Sequence, residues 1–454
     1  MISYLNSLVP LLILLTFCCS TGWFITAVVL KLQISQIYWI ERYIVLFLIG
    51  SAVISWLSFL FILFGIDIRI LFLVLTLVTI YQVVSLPFQK KFNNTKIKKS
   101  VLSIVANIIM IGLIVWIVSD IFILSNMVSD GLNFWGFKAK VLFDGNEIVA
   151  QFFKDPTLIW AHLDYPLYLP VLEMLIYKIY GSVWEPAVLA LVPGFYLLTG
   201  LFIFVFLQRF ISRFHAFLLL VIFLFIPHLR EIAVLSYADF SLSIFYLVSA
   251  GYYFLYLKEG KPVYRNLSLL VASNLFWVKK EGLILYLIYL LGLLIFRSNA
   301  GRKTSILPLV VITSVPLLLW NIFITINGIP ARDFVEPTLD FFLSHLSRLV
   351  EIPTYTRRLM KFAPDWGFFW PILGILAILR IRLFSDLSRR YLLYAVIVPL
   401  VIYPFLFFFS AWIPYYEHVR TALDRLILQV FPLAFVLFAL LLSGERSSVT
   451  YQKT

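Results

Sequence analysis

Apolar runs long enough to cross a bilayer recur along almost the whole chain, and a soluble fold has no way to bury them all. About 17–25 apolar residues in a helix span the roughly 30 Å hydrocarbon layer, where only helices and closed barrels satisfy every backbone group. Full-length runs lie near 7–30, 43–64, 70–88, 101–125, 184–208, 216–232, 239–257, 304–326, 391–410 and 426–443, with shorter ones at 266–278, 282–296 and 367–379. The fold class read from them is all-α, a polytopic membrane protein of about 13 transmembrane helices. Composition agrees: 62% of residues are hydrophobic and only 13% charged, which removes soluble, disordered and disulfide-scaffold classes. Cys18 and Cys19 are adjacent, without the spacing of a bridge or a metal site. The first run has no Lys or Arg in residues 1–6 and no small-residue cleavage site, so it reads as a membrane helix rather than a signal peptide.

The net charge of +13 would suggest a nucleic-acid partner in a polar chain; here it reports topology, and no nucleic acid is expected. Lys90, Lys91, Lys96, Lys98 and Lys99 form the most basic loop, which the positive-inside rule places in the cytoplasm. Counting crossings from there puts Arg209/Arg213, Lys258/Lys261/Arg265, Arg297/Arg302/Lys303 and Arg380/Arg382/Arg389/Arg390 on the same side. That count requires 167–181 not to cross, and with Glu173 and Lys178 the segment reads as an interfacial helix on the outer face. Only Glu41, Glu259, Asp386 and Glu445 of the 23 acids then lie inside. Solvated outer loops or an outward-facing chemistry would each produce that bias.

Two outer segments are long, 126–183 and 327–366, and carry Trp135, Trp160, Tyr165, Tyr168, Tyr355 and Trp366. Long ordered loops are commonly functional, and these read as juxtamembrane helices, although the aromatics alone would fit an interface belt. The chain divides into an N-terminal three-helix segment (1–100) without an assigned role, a central membrane core (101–300) including the first outer segment, and C-terminal helices (301–454) including the second.

Ionisable residues at membrane depth are functional candidates, and five groups stand out. Asp130 follows a membrane helix at the outer interface, where a carboxylate can be a general base or a helix cap. His162 and Asp164, followed by Tyr165-Pro166, could orient each other or share a metal, but two ligands do not make a site. Tyr237-Ala238-Asp239 occupies a short outer turn, with Asp239 again readable as a cap. Lys279-Lys280-Glu281 interrupts an apolar stretch between two half-length helices, a costly placement that an anionic partner such as a lipid phosphate would offset. Asp424-Arg425 precedes the last run, where Arg425 can pair with Asp424 or a phosphate.

In this order the elements resemble the membrane-embedded glycosyltransferases of the C-type (GT-C) superfamily, which includes the protein mannosyltransferases and the lipid A aminoarabinose transferases. The likeness covers roughly 101–300, with an echo at 411–432. It rests on Asp130 with Trp135 and Lys138-Ala139, Asp164-Tyr165-Pro166, Tyr237-Ala238-Asp239, Lys279-Lys280-Glu281-Gly282, and Asp424-Arg425-Leu426 with Pro432. The resemblance implies transfer of a sugar from a polyprenyl-phosphate donor to a glycan, lipid or protein acceptor, at the non-cytoplasmic face of the plasma (inner) membrane. It implies catalytic roles for Asp130, as base, and for Asp239, which would position the acceptor or assist. Lys279, Lys280, Arg425, Arg420 and Lys138 would bind the donor phosphate; His162, Asp164, Tyr165, Tyr237 and Glu281 would line the substrate site. A lipid phosphate leaves readily, so cations serve it better than a general acid. The chain departs from the family in two places. Asp130 is followed by Gly131 and Leu132 rather than a second acid, which weakens a metal-binding pair, and Tyr165 stands where aminoarabinose transferases have a Lys before the Pro. No metal is expected, although the cofactor is not identified and a divalent cation stays open. The competing readings are a transporter or flippase for lipid-linked saccharides, suggested by the broken pair 266–278/282–296, and a polymerase or ligase using the same carrier.

Overall fold

The computed structural model describes residues 2–85, 112–113, 115–117, 119–145, 149, 151–297, 307–329, 333–362 and 366–444. Among these no β-strand forms; one isolated antiparallel bridge joins Phe334 to Ser410. The helices that build the fold are α1 (Ile2–Trp23), α2 (Trp39–Leu63), α3 (Ile68–Ser85), α4 (Phe137–Asp144), α5 (Tyr168–Tyr180), α6 (Leu191–Leu207), α7 (Arg213–Phe225), α8 (Pro227–Ala233) and α9 (Asp239–Glu259). They continue with α10 (Pro262–Ala272), α11 (Leu275–Val278), α12 (Gly282–Ile295), α13 (Leu307–Ile326), α14 (Leu339–Ser344), α15 (Arg348–Phe362), α16 (Phe369–Leu379), α17 (Leu387–Leu406) and α18 (Tyr415–Ser443).

This is an all-α, membrane-embedded chain, with fewer full-length spans among the described residues than the about 13 expected. Seven helices are long and apolar enough to cross a bilayer, or eight if α7 and α8, bent by 64°, count as one span. The bend falls where Pro227 opens α8, since proline brings no N–H to continue the ladder. Length accounts for much of the rest: the 14 residues of α12 and 11 of α16 reach only about 21 and 16 Å. Most of the run at 101–125, the Lys90–Lys99 loop, Arg302, Lys303 and Glu445 lie outside the described residues.

The core is organised around α9, whose Asp239–Tyr256 stretch is buried without interruption and packs on α6, α10, α17 and α18. The N-terminal segment is joined to this core. α1 and α2 touch backbone to backbone: a Cβ on Gly50 would sit 1.7 Å from the Cys18 carbonyl oxygen, and one on Gly22 1.9 Å from that of Leu46. Small residues permit such close crossings inside a membrane. From α2, the Ser51 hydroxyl lies 2.8 Å from the Tyr168 hydroxyl, Ser55 Oγ accepts from Trp277 Nε1 at 2.6 Å, and Trp56 stacks on Trp277 at 3.7 Å.

The interfacial helix expected at 167–181 is instead packed inside the protein. Every residue of α5 from Tyr168 to Tyr177 is buried, against α1, α2 and α4. Its polar residues signalled a water-facing helix, but Lys178 is satisfied internally, donating to the Phe143 carbonyl at 2.7 Å and lying 4.3 Å from that ring. Segment 327–366 carries α14 and α15 and is tied to the end of α17. Val335 N donates to Phe409 O at 2.9 Å, Ala411 N to Asp333 O at 2.9 Å, and the Arg348 guanidinium to Phe408 O at 2.6 Å.

Candidate functional site

The charged break predicted between two half-length helices is present. α11 ends at Val278, Lys279 is extended, and α12 begins at Gly282. The turn is so tight that a Cβ on Gly282 would lie 1.9 Å from the Leu275 carbonyl oxygen. With Trp277 pinned by Ser55 and Trp56, the backbone has little freedom, and it aims Lys279 inward.

Lys279 meets Asp239, the first residue of α9. Asp239 has no solvent exposure, and its carboxylate takes Lys279 Nζ and Gln429 Nε2 at 2.8 Å each on Oδ1 and Arg425 Nε at 3.0 Å on Oδ2. Gln429 is itself held, its Oε1 accepting from Tyr403 at 2.9 Å. Arg425 then bridges to a second acid: its NH1 donates to Asp130 Oδ2 at 2.5 Å, while its guanidinium lies 4.3 Å from the Tyr237 ring. Neither acid caps a helix with its side chain. Both are partners of cations, and a buried charge without such pairing would be too costly to keep. Arg425 does not pair with Asp424, whose Oδ2 lies 3.6 Å from His228 Nε2.

Beside this cluster opens a cavity of about 250 Å³. Six sequence-predicted residues line it: Asp130, His162, Tyr165, Lys279, Glu281 and Arg425. Lys279 Nζ also lies 3.5 Å from Glu281 Oε1, and Tyr165 OH donates to that oxygen at 3.4 Å. Burial, with the charge of Glu281 added, pushes the Tyr165 hydroxyl well above its usual range, so it stays a donor. Three polar atoms of the wall, Trp135 Nε1, His162 Nδ1 and Glu281 Oε2, are buried without a hydrogen-bond partner.

The remaining predicted residues stand elsewhere. Lys280 pairs with Asp164 Oδ2, so His162 and Asp164 do not orient each other. Lys138 is buried within segment 126–183, on α4, and donates to the His162 carbonyl at 2.5 Å. Desolvation pushes its ammonium down to about 7 against the opposing charge of Asp164, so it is a backbone clamp rather than a phosphate ligand. Arg420 points to the surface, 64% exposed, paired with Glu417 at 2.8 Å. Tyr237 packs on Arg425 but does not line the cavity. Among the described residues no group of three or more His, Cys, Asp or Glu is arranged to hold a metal ion.

The opposite wall comes from residues without a role in the sequence reading: Asp333 and Phe334 from segment 327–366, with Trp412 and His418. Asp333 Oδ2 lies 3.0 Å from His162 Nδ1, and its Oδ1 accepts from Trp412 Nε1 at 3.2 Å. Burial raises the Asp333 carboxyl, but the His162 and Trp412 donors outweigh it, and the net position is below the usual carboxylate range. His418 stacks on Trp412 at 4.7 Å, with Ser410 Oγ 2.9 Å from its Nδ1. An aspartate in a loop tied to a distant helix end carries no local pattern that would have flagged it.

No protein-family model, no curated protein and no solved structure matches this chain.

Proposed function

We propose that this cavity is the active site of a GT-C-like membrane glycosyltransferase, moving a sugar from a polyprenyl-phosphate donor to an acceptor at the non-cytoplasmic face. One observation carries the reading: Lys279 and Arg425, from distant parts of the chain, are fixed by the same fully buried carboxylate and both face one cavity. In this reading Asp239 acts as a positioning residue, holding the two cations rather than meeting substrate. Arg425 has five N–H donors and spends about three on Asp239 and Asp130, leaving others for a phosphate oxygen. Preorganised cations of this kind stabilise charge building up on a leaving phosphate. Trp135 Nε1 and Glu281 Oε2 would find their partners on the sugar.

The lipid tail has a place to lie. An apolar groove of about 480 Å³ is lined by Pro353, Met360, Trp370, Leu400, Pro404 and Phe405. Leu406 and Phe407, the next residues in the chain, line the charged cavity. A prenyl chain in the groove would therefore bring its phosphate toward Arg425. The arrangement of about 13 crossings, the outward orientation and the plasma-membrane location belong to the same reading.

The test is a profile of glycans and lipid-linked sugars in the native host, comparing wild type, a deletion and Lys279→Gln at matched protein level. The transferase reading expects both mutants to lose one glycan residue and accumulate its polyprenyl-phosphate donor. A deletion that changes the sidedness of lipid-linked sugars while Lys279→Gln behaves as wild type would favour a flippase instead.

A further inference from the structure

The resemblance makes Asp130 the base, yet one Asp130 oxygen is occupied by the Arg425 guanidinium. The cavity holds a second candidate, in a different chemical arrangement. We propose, building on the transferase reading, that His162 is the catalytic base of this site and that Asp333 is its positioning residue.

The geometry is that of a base oriented by an acid. Asp333 Oδ2 lies 3.0 Å from His162 Nδ1, and both side chains are nearly fully buried. A carboxylate beside Nδ1 favours the proton there and makes Nε2 the basic nitrogen, the logic by which paired histidines activate hydroxyl groups. Nδ1 is close to Asp333 but not aligned for a hydrogen bond, and such contacts commonly tighten only when substrate is bound. The His162 side chain lines the cavity, facing it from the wall opposite the cations.

The ring is also fixed. Phe134 and Tyr165 meet it edge-on at 4.3 and 5.1 Å. Its backbone sits in the left-handed region at φ 50°, held by Lys138 on the carbonyl oxygen. A non-glycine residue in that conformation is uncommon and persists where surrounding structure imposes it. Asp333 is fixed in turn by Trp412 on its other oxygen and by Ala411 N on its carbonyl. The pair therefore spans the two long outer segments and closes the cavity opposite the cations.

In the step this implies, the acceptor hydroxyl gives its proton to His162 Nε2 as its oxygen forms a bond to the anomeric carbon. The bond from that carbon to the donor phosphate oxygen breaks, and the electron pair leaves on the phosphate, beside Arg425 and Lys279. The imidazolium, stabilised by Asp333, then returns the proton to solvent or to the released phosphate. Asp130 has the separate task of holding Arg425. The charged and titratable groups around His162 are Asp333, Lys138, Tyr165 and His418.

The experiment measures sugar release from a radiolabelled polyprenyl-phosphate hexose by protein in proteoliposomes, with deletion-strain membranes as acceptor. His162→Gly keeps the left-handed backbone unstrained and leaves a space for free imidazole. His162→Asn also tolerates that conformation and reports on folding. The proposal expects His162→Gly to lose at least about 100-fold in kcat at near-normal KM, in keeping with general-base catalysis, and to recover in part with added imidazole. Asp333→Asn should lower kcat with little change in KM, whereas Asp130→Asn should raise the donor KM and gain nothing from imidazole. His162→Gly with wild-type kcat overturns the proposal. So does a dead His162→Gly that imidazole does not restore while His162→Asn is folded, because His162 is then only a tie between loops. Wild-type protein that releases no sugar overturns the transferase reading and this assignment together.

Discussion

A buried acid–arginine contact lies near each end of helix α9, about 30 Å apart along its 21 residues, one using Asp239 of α9 itself and the other Glu41 of α2, and the two are built differently. At the Lys258 end, Glu41 is wholly buried and Arg209 grips both its oxygens, one fork on one carboxylate. As an ion pair it is closed, one acid with one arginine, and Arg209 also lines a cavity of about 510 Å³ with Lys258, Lys261 and Tyr264. At the Asp239 end the carboxylate is shared among Lys279, Arg425 and Gln429, and Arg425 is shared between Asp239 and Asp130. The open network leaves two cations facing a cavity. Burial of an ion pair alone therefore says little about function; what separates the two ends is that Glu41 holds one cation, whereas Asp239 holds two and Arg425 joins two acids beside a cavity.

The largest expected effect sharpens that contrast. Removing one partner of a buried pair costs about 3–5 kcal/mol, so Asp239→Ala and Glu41→Ala should both lower thermal stability by that order. Only Asp239→Ala should also raise the donor KM in the folded fraction. The double change Glu41→Leu/Arg209→Met should be near neutral, since a closed buried pair can be replaced by apolar packing. An altered donor KM in the Glu41 variants would erase the distinction between the two ends.

A second, smaller effect tests whether the α11–α12 break fixes Lys279. Gly282→Ala forces a methyl group into the Leu275 carbonyl and should cost about 1–3 kcal/mol, read as a shift in the unfolding midpoint. It should also displace Lys279 and weaken donor use. Normal stability with normal turnover would mean the break is soft.

The effect that is smallest per step is in pH. Lys138 titrates near 7 when folded and near 10.4 when unfolded, so the unfolded chain holds more protons between those values. Stability should rise with pH across that window, by at most about 1.4 kcal/mol per unit, with the full burial penalty present below it. Asp333, held low, acts in the same direction but in the acid range: its stabilisation is complete above the ordinary carboxylate range and fades as pH falls through its folded value. Melting curves from pH 6.5 to 9.5 should climb for wild type and flatten for Lys138→Met.

Much of this was legible in the sequence because it is local. Hydropathy marked most of the helices, and the charged interruption at 279–281 marked the break between α11 and α12. The acids of the outer turns marked Asp130 and Asp239, although a cap and a site look alike until partners are known. What the sequence could not carry was partnership. Arg425 meets Asp130 across 295 residues and Asp239 across 186, and Lys279 meets Asp239 across 40. Asp333, Trp412 and Gln429 sit in no motif, and their importance comes only from what folds against them. α5 differed for another reason: Glu173 and Lys178 read as marks of an interfacial helix, while Lys178 finds its partners inside the protein.

The central claim is that the Asp239 network presents cations to a lipid-linked sugar phosphate. Its most direct test is turnover of a labelled polyprenyl-phosphate hexose in proteoliposomes by wild type and by Arg425→Gln, with Arg209→Gln as the contrasting end. The account predicts turnover by wild type, a donor KM raised at least tenfold in Arg425→Gln, and an unchanged KM in whatever fraction of Arg209→Gln folds. Equal donor KM in folded Arg425→Gln and wild type would contradict it.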